Sequence, residues 1–204
     1  MYLSKIEMSL SEPSVRAALR DAQKMHRLVS GFFQLPRQEA EFVYRVQTKG
    51  HTVALYSYAA QPIDRGSLLP GTLLAGEREL DSWLSSMEAG QRWGFDLLTM
   101  PFKKVPDGGS RNSRRRVLRT QEERLKWLSR KAEQNGFTIL TVQELPGEKA
   151  SALHPEEKGG RLYLDVYQYT GTLQIQDAEL FRKAVCSGIG PGKAYGLGML
   201  LLRR

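Results

Sequence analysis

In MYLSKIEMSL, at the start of the chain, apolar and polar positions alternate, the period-two pattern of a half-buried strand. The period then lengthens. Through SEPSVRAALRDAQKMHRLVSGFF, residues Val15, Leu19, Ala22, His26, Val29 and Phe33 recur every three or four positions, which predicts one helix over residues 11–33. Ser11 is placed to cap it and Pro13 to sit in its first turn. EFVYRVQT and HTVALYSYAA return to alternation on either side of Lys49-Gly50, so they predict an antiparallel hairpin. Residues 61–90 hold a Pro/Gly-rich stretch with weak periodicity, and a short strand is expected near Trp83 and Leu84.

The pattern resumes at RWGFDLLTM, a strand stopped by Pro101, followed by KKVPDGGSRNSRRR, which reads as a basic flexible loop. TQEERLKWLSRKAEQNG predicts a helix, with a capping box at Thr120 and Glu123 and a stop at Gly136. FTILTVQEL is a strand and PGEKASALHPEEKGG a polar excursion. RLYLDVYQYTGTLQIQ alternates strongly, with a turn expected near Gly171. DAELFRKAVCSG is a short helix, and the glycine-rich loop after it enters a final strand, YGLGMLLL. The second half therefore spells βαββαβ, the ferredoxin-like order, and the first half begins in the same way. The expected fold is α+β, with two tandem ferredoxin-like domains. Residues 1–88 form the first, carrying His26, and residues 89–204 the second, with a linker near 86–91.

Charge changes the picture. The net charge of +8 is concentrated in the second half: residues 101–131 hold eleven Lys/Arg against three Asp/Glu, and residues 181–204 hold five Lys/Arg and no acid. That asymmetry points to a polyanion, nucleic acid first. The single cysteine, Cys186, excludes an internal disulfide framework and suits a reducing cytoplasm. No apolar run approaches membrane-spanning length. His51 and His154 are scattered and no HxxxH, CxxC or DxD set occurs, so neither a metal nor a cofactor is expected.

Three stretches could carry chemistry. GIGPGKAYGLG places five glycines and Lys193 within eleven residues. It matches neither a Walker A loop nor GxGxxG. Backbone N–H groups at Gly188, Gly190 and Gly192 could still approach an anion, with Lys193 adding charge; equally, Gly188 could simply end a helix. RNSRRRVLRT, with Lys103 and Lys104 before it, offers Arg111, Arg114, Arg115, Arg116 and Arg119 to the phosphates of a double-stranded stem. Alternating Tyr163, Tyr167 and Tyr169 read first as packing. A lone histidine on an apolar helix face, such as His26, also reads first as a packing residue. Its catalytic reading needs a target, and RNA supplies one in the 2′-hydroxyl, which can attack the adjacent phosphate once deprotonated.

Taken in order, MYLSKI, MHRLVSGFF, LLTMPFKK, RRVLRTQEERLKWLSRKAEQNGF and GIGPGKAYGLGML resemble the CasE family of CRISPR RNA-processing endoribonucleases (Cas6 superfamily, subtype I-E) over nearly the whole chain. The resemblance implies two tandem ferredoxin-like domains and metal-independent cleavage of precursor CRISPR RNA at the base of a repeat stem-loop. The products would be a 2′,3′-cyclic phosphate and a 5′-hydroxyl. It also implies that the processed RNA is retained and that other Cas subunits of the Cascade complex are partners. It places the catalytic histidine at His26, the stem-inserting arginines at 111–119, and an RNA or interface role at the loop from Gly188 to Gly198. Gln23 and Gly31 stand where some members carry a tyrosine and a lysine, and Leu98 where an arginine is common. Lys24, Arg27, Ser30 and Lys158 are the candidates for catalytic support in their place. The alternative is a non-catalytic scaffold that holds repeat RNA; a small-molecule-binding ferredoxin-like protein is the third reading.

Overall fold

The computed structural model describes residues 1–33, 41–106, 113–147, 150–153 and 161–204. In chain order the first half gives β1 (Tyr2–Ser9), α1 (Pro13–Leu19), α2 (Ala22–Gly31), β2 (Phe42–Lys49), β3 (Thr52–Ala59), β4 (Thr72–Glu79) and α3 (Asp81–Ser85). The second gives β5 (Arg92–Thr99), β6 (Phe102–Pro106), β7 (Ser113–Val117), α4 (Gln121–Gln134), β8 (Phe137–Pro146), β9 (Ala150–Leu153), β10 (Arg161–Leu164), β11 (Tyr167–Ile175), α5 (Ala178–Ser187) and β12 (Leu200–Arg203). Short 3₁₀ turns occupy Arg65–Ser67 and Lys193–Tyr195. Among the described residues no helix is long and apolar enough to cross a membrane.

Each half builds a four-stranded antiparallel sheet, ordered β2-β3-β1-β4 in the first and β12-β5-β11-β8 in the second. Both orders place the first and third strands at the centre, the arrangement of two interleaved βαβ crossovers in a ferredoxin-like fold. The two halves differ in how they close. The second returns from β11 to β12 through α5, whereas the first returns from β3 to β4 through coil and the 3₁₀ turn Arg65–Ser67.

Several expectations are corrected. The helix predicted over 11–33 is two helices. The β-region backbone of Asp21 breaks it, and that side chain accepts from the N–H groups of Gln23 and Lys24 at the start of α2 (2.9 and 3.3 Å). A short acidic side chain satisfies helix-start donors better from outside the helix than within it. Ser11 caps nothing; Glu12 precedes α1 without a side-chain cap, and only Pro13 is where its φ predicts. The strand expected near Trp83 is the short helix α3, while the strand of that region is β4. The basic loop is a hairpin, with Lys104 opposite Arg115 and Lys103 opposite Arg116. The polar excursion contains a strand, β9, which pairs with β10, and the alternating stretch after it is two strands, β10 and β11. There is no turn at Gly171: β11 runs straight through it, and β8 passes so close that a Cβ there would run into the Thr141 carbonyl oxygen. The last strand starts at Leu200, after a looped glycine segment, not at Tyr195.

Two cores follow. Ile6, Met8, Val15, Val29, Val53 and Leu55 pack α1 and α2 onto the inner face of the first sheet. A larger core joins Trp93, Phe95, Trp127, Leu173 and Phe181 of the second half to Val43, Tyr58, Leu80 and Met87 of the first. The contact of α5 with β2 makes that junction. Gly90 N–H donates to Ile175 O, and Gln91 O accepts from Ile175 N–H, so the segment between the halves is itself tied to the second sheet.

Candidate nucleic-acid interface and catalytic histidine

α2 carries His26 because Asp21 fixes where that helix begins. Met25 and Val29 point into the first core, and His26 stands beside them, half-buried. Its ring stacks on Phe42 (centroids 5.5 Å, planes 26° apart), which stacks in turn on Phe33 (5.1 Å); the Tyr44 ring lies 6.4 Å from His26. Phe42 and Tyr44 come from β2, so the imidazole rests on an aromatic shelf that limits its rotation. One turn on, the Ser30 hydroxyl donates to the His26 carbonyl (2.8 Å), a helix-internal bond that occupies its hydrogen. Lys24 and Arg27 lie on the exposed side of the same helix. Lys158 falls outside the described residues, as do His154 and Arg111.

The glycine-rich loop reaches this place from the other end of the chain. α2 and β2 both pack against the turn Lys193–Tyr195, and the Tyr44 hydroxyl donates to the Ala194 carbonyl (2.9 Å). Gly188 ends α5 at φ 74°, and its αC hydrogen faces the Gly198 carbonyl and Val43. At Gly190 a Cβ would lie 2.6 Å from Thr99 Oγ1 and 3.1 Å from the Trp127 ring; at Gly192 it would press on Leu197. These glycines are needed for close packing within the fold. Lys193 is half-buried, and burial first, then the charge of Lys131, pulls its ammonium below the usual lysine range. A bound anion would relieve both effects.

The basic hairpin is held at its root. Lys103 of β6 reaches Glu123 (3.4 Å), which also accepts from the Arg119 N–H (3.3 Å), while the Glu123 N–H donates to Thr120 Oγ1 (3.2 Å). The capping box predicted there is thus shifted by one residue on its return arm. Arg116 and Arg119 are exposed; Arg114 and Arg115 lie on β7 opposite Val105 and Lys104. Behind them sits Arg124, 7% exposed. Its Nη1 donates to the carbonyls of Arg119 (2.7 Å) and Leu118 (3.4 Å), and Nε and Nη2 make a two-bond pair with Glu144 (2.9 and 2.6 Å). The Tyr169 hydroxyl donates to the same carboxylate (2.9 Å), and the Tyr167 ring lies 4.0 Å below the guanidinium. Burial, then that bond to Glu144, pushes the Tyr169 hydroxyl far above the usual tyrosine range.

The structure thus brings His26, Ser30 and Lys193 to one seam and leaves Lys103 and Arg116 on a separate hairpin, with Arg119 exposed between that hairpin and α4. Sequence reasoning missed Phe42, Tyr44 and Arg124. Strand alternation could have shown that Tyr44 faces the helix; nothing local marks Arg124 as buried. Among the described residues no group of three or more His, Cys, Asp or Glu side chains is clustered as metal ligands would be.

A family model described as CRISPR associated protein matches residues 1–204. The CRISPR-associated endoribonuclease Cse3 of Thermus thermophilus is 32% identical over 221 residues, spanning 98% of each chain. The CRISPR system Cascade subunit CasE of Escherichia coli is 26% identical, spanning 99% of this chain and 98% of that one. Cse3 bound to a 19-nucleotide RNA superposes with a TM-score of 0.87 at 25% identity, each chain covered in full. The chain belongs to the CRISPR-associated protein family, as a member of the Cse3/CasE type.

Proposed function

We propose that this chain is an endoribonuclease that binds the stem-loop of CRISPR repeat RNA, cleaves the precursor without a metal ion, and keeps the product as a cytoplasmic Cascade subunit. In this reading residues 1–88 and 89–204 act as its two domains. The observation that carries it is the position of His26, on a helix that packs directly against the cationic Lys193–Tyr195 turn. The relatives named as endoribonuclease and as Cascade subunit give the substrate class and the partners.

The chemistry is a transesterification. A ring nitrogen of His26 takes the 2′-hydroxyl proton, or returns one to the leaving oxygen. The 2′-oxygen bonds to the neighbouring phosphorus, the bond from phosphorus to the 5′-oxygen breaks, and that oxygen is protonated. The products are a 2′,3′-cyclic phosphate and a 5′-hydroxyl. Charge building on the phosphorane favours a nearby cation, and Lys193, whose own surroundings disfavour its charge, gains most from such an anion. Lys24, Arg27 and Lys158 are further candidates for that role, and Ser30 steadies the helix beneath His26. The hairpin residues Lys103, Lys104, Arg114, Arg115, Arg116 and Arg119 with Arg111 are the stem contacts.

His26→Ala should slow cleavage of a repeat hairpin by about 10²–10⁴-fold while hairpin affinity stays within about twofold, and EDTA should leave the wild-type rate unchanged. Cleavage at the wild-type rate by the variant removes His26 from the mechanism. Tight binding with no cut by the wild-type protein assigns the chain to a repeat-RNA scaffold instead.

A further inference from the structure

The tip of the glycine-rich loop, the turn Lys193–Tyr195, is bounded by Gly192 and Gly196, both left-handed (φ 83° and 77°). At its base the loop is tied to its own half: Ile189 N–H donates to Gly198 O and Gly198 N–H to Leu98 O, at 2.7 Å each. At its tip it is tied to the other half, through the Tyr44 hydroxyl on the Ala194 carbonyl (2.9 Å). Tyr44 is fully buried. Its ring lies 6.4 Å from that of His26, with planes 25° apart. Gly196 packs against the same ring so closely that a Cβ there would sit 3.1 Å from Cε2. Burial, then the neighbouring Tyr195, pushes the Tyr44 hydroxyl far above the usual tyrosine range, so it keeps its proton and donates throughout the neutral range.

We infer that Tyr44 is a positioning residue for cleavage: its ring stands beside the His26 imidazole, and its hydroxyl holds the Lys193 turn in register with that imidazole. This rests on the endoribonuclease reading above. His26 and Lys193 are carried by different halves of the chain, so their separation depends on what joins the turn to β2. The Arg45–Asp96 pair joins the two sheets, whereas Tyr44 reaches the turn itself. Phe42 supports the imidazole alone; Tyr44 lies against the imidazole and bonds to the turn. The help a cation gives to a phosphorane falls with distance, and a shift of about 1 Å in a reacting group can cost about a hundredfold in rate. A phenyl ring at residue 44 would fill the same space and leave the turn without its tie.

Single-turnover cleavage of a repeat hairpin at saturating protein tests this, with binding measured separately. Tyr44→Phe should slow the cleavage step about tenfold and leave hairpin affinity within about twofold. Lys193→Ala should slow the same step, and in that background Tyr44→Phe should cost nothing more, because the group it aligns is gone. Ile175→Val, which trims the second core at the far end of β11, controls for a general loss of stability and should cut at the wild-type rate. A wild-type rate for Tyr44→Phe overturns the inference, as does a loss confined to affinity, a loss matched by Ile175→Val, or a loss undiminished in the Lys193→Ala background. A wild-type rate for Lys193→Ala overturns it too, since the turn would then carry nothing to align. If the wild-type protein does not cut, or His26→Ala cuts as fast, the endoribonuclease reading falls as well; if His26→Ala is slow and Tyr44→Phe behaves as wild type, only the inference falls.

Discussion

Arg124 shows how much one residue can settle. In the sequence it is one of eleven cations between residues 101 and 131. In the fold it is buried, paired twice with Glu144 and bonded to the carbonyls where the basic hairpin runs into α4. Its pair partner is 6% exposed, so removing the guanidinium strands a carboxylate away from water. Arg124→Met should therefore cost about 3–5 kcal/mol of unfolding free energy, read from a urea titration, against a few tenths for the exposed Arg116. A loss no larger than that of Arg116→Met would mean that the pair adds nothing. His26 can be named as a candidate from the sequence for the opposite reason. Its place on the apolar side of a helix beside Lys24 and Arg27, in a segment resembling the family's, marked it out, whereas the aromatic shelf beneath it comes from β2 and has no signature near residue 26.

At the scale of elements, signals that act within a few residues could be read. The Lys49-Gly50 turn, the Thr120 cap, the Gly136 stop and the Asp177–Ser187 segment all stand where local chemistry puts them. Elements decided by neighbours could not. Asp21 sits inside an unbroken apolar period, and only its bonds to Gln23 and Lys24 show that the helix restarts there. The hairpin β6–β7 looks like a loop because its strands are charged on a surface where no core demands alternation. Gly171 suggests a turn, yet it lies mid-strand opposite Val142, next to a register shift between Thr172 and Leu173. Its requirement is close approach of another backbone. Gly171→Ala would put a methyl group against the Thr141 carbonyl, and neither strand can yield without loss of pairing. The substitution should lower stability by about 3 kcal/mol or more and raise amide exchange along β8 and β11. An exchange pattern unchanged from wild type would show that the strands separate freely there.

At the scale of the molecule, the two sheets recur in order but do not stand apart. Val43, Tyr58, Leu80, Leu84 and Met87 belong to the same core as Trp127, Phe137 and Phe181. The Arg45–Asp96 pair and the bond from Tyr44 to Ala194 cross the same seam. If no core joined the halves, a repeat of βαββαβ would unfold in two steps. A shared core instead makes exposure of one half expose the apolar surface of the other, which raises the free energy of any half-unfolded state. Thermal or urea unfolding should therefore be a single transition. All three tryptophans lie in or against the shared core, so fluorescence follows the seam and the second half, while far-ultraviolet circular dichroism follows both sheets and all helices. The two signals should share one midpoint. Asp96→Asn, which weakens the ion pair across the seam while keeping its shape, should lower that midpoint without splitting it. A fluorescence midpoint separated from the dichroism midpoint in the wild-type protein would show that the halves are energetically independent. His26 and the Lys193 turn, carried by different halves, would then hold their alignment only when RNA bridges them.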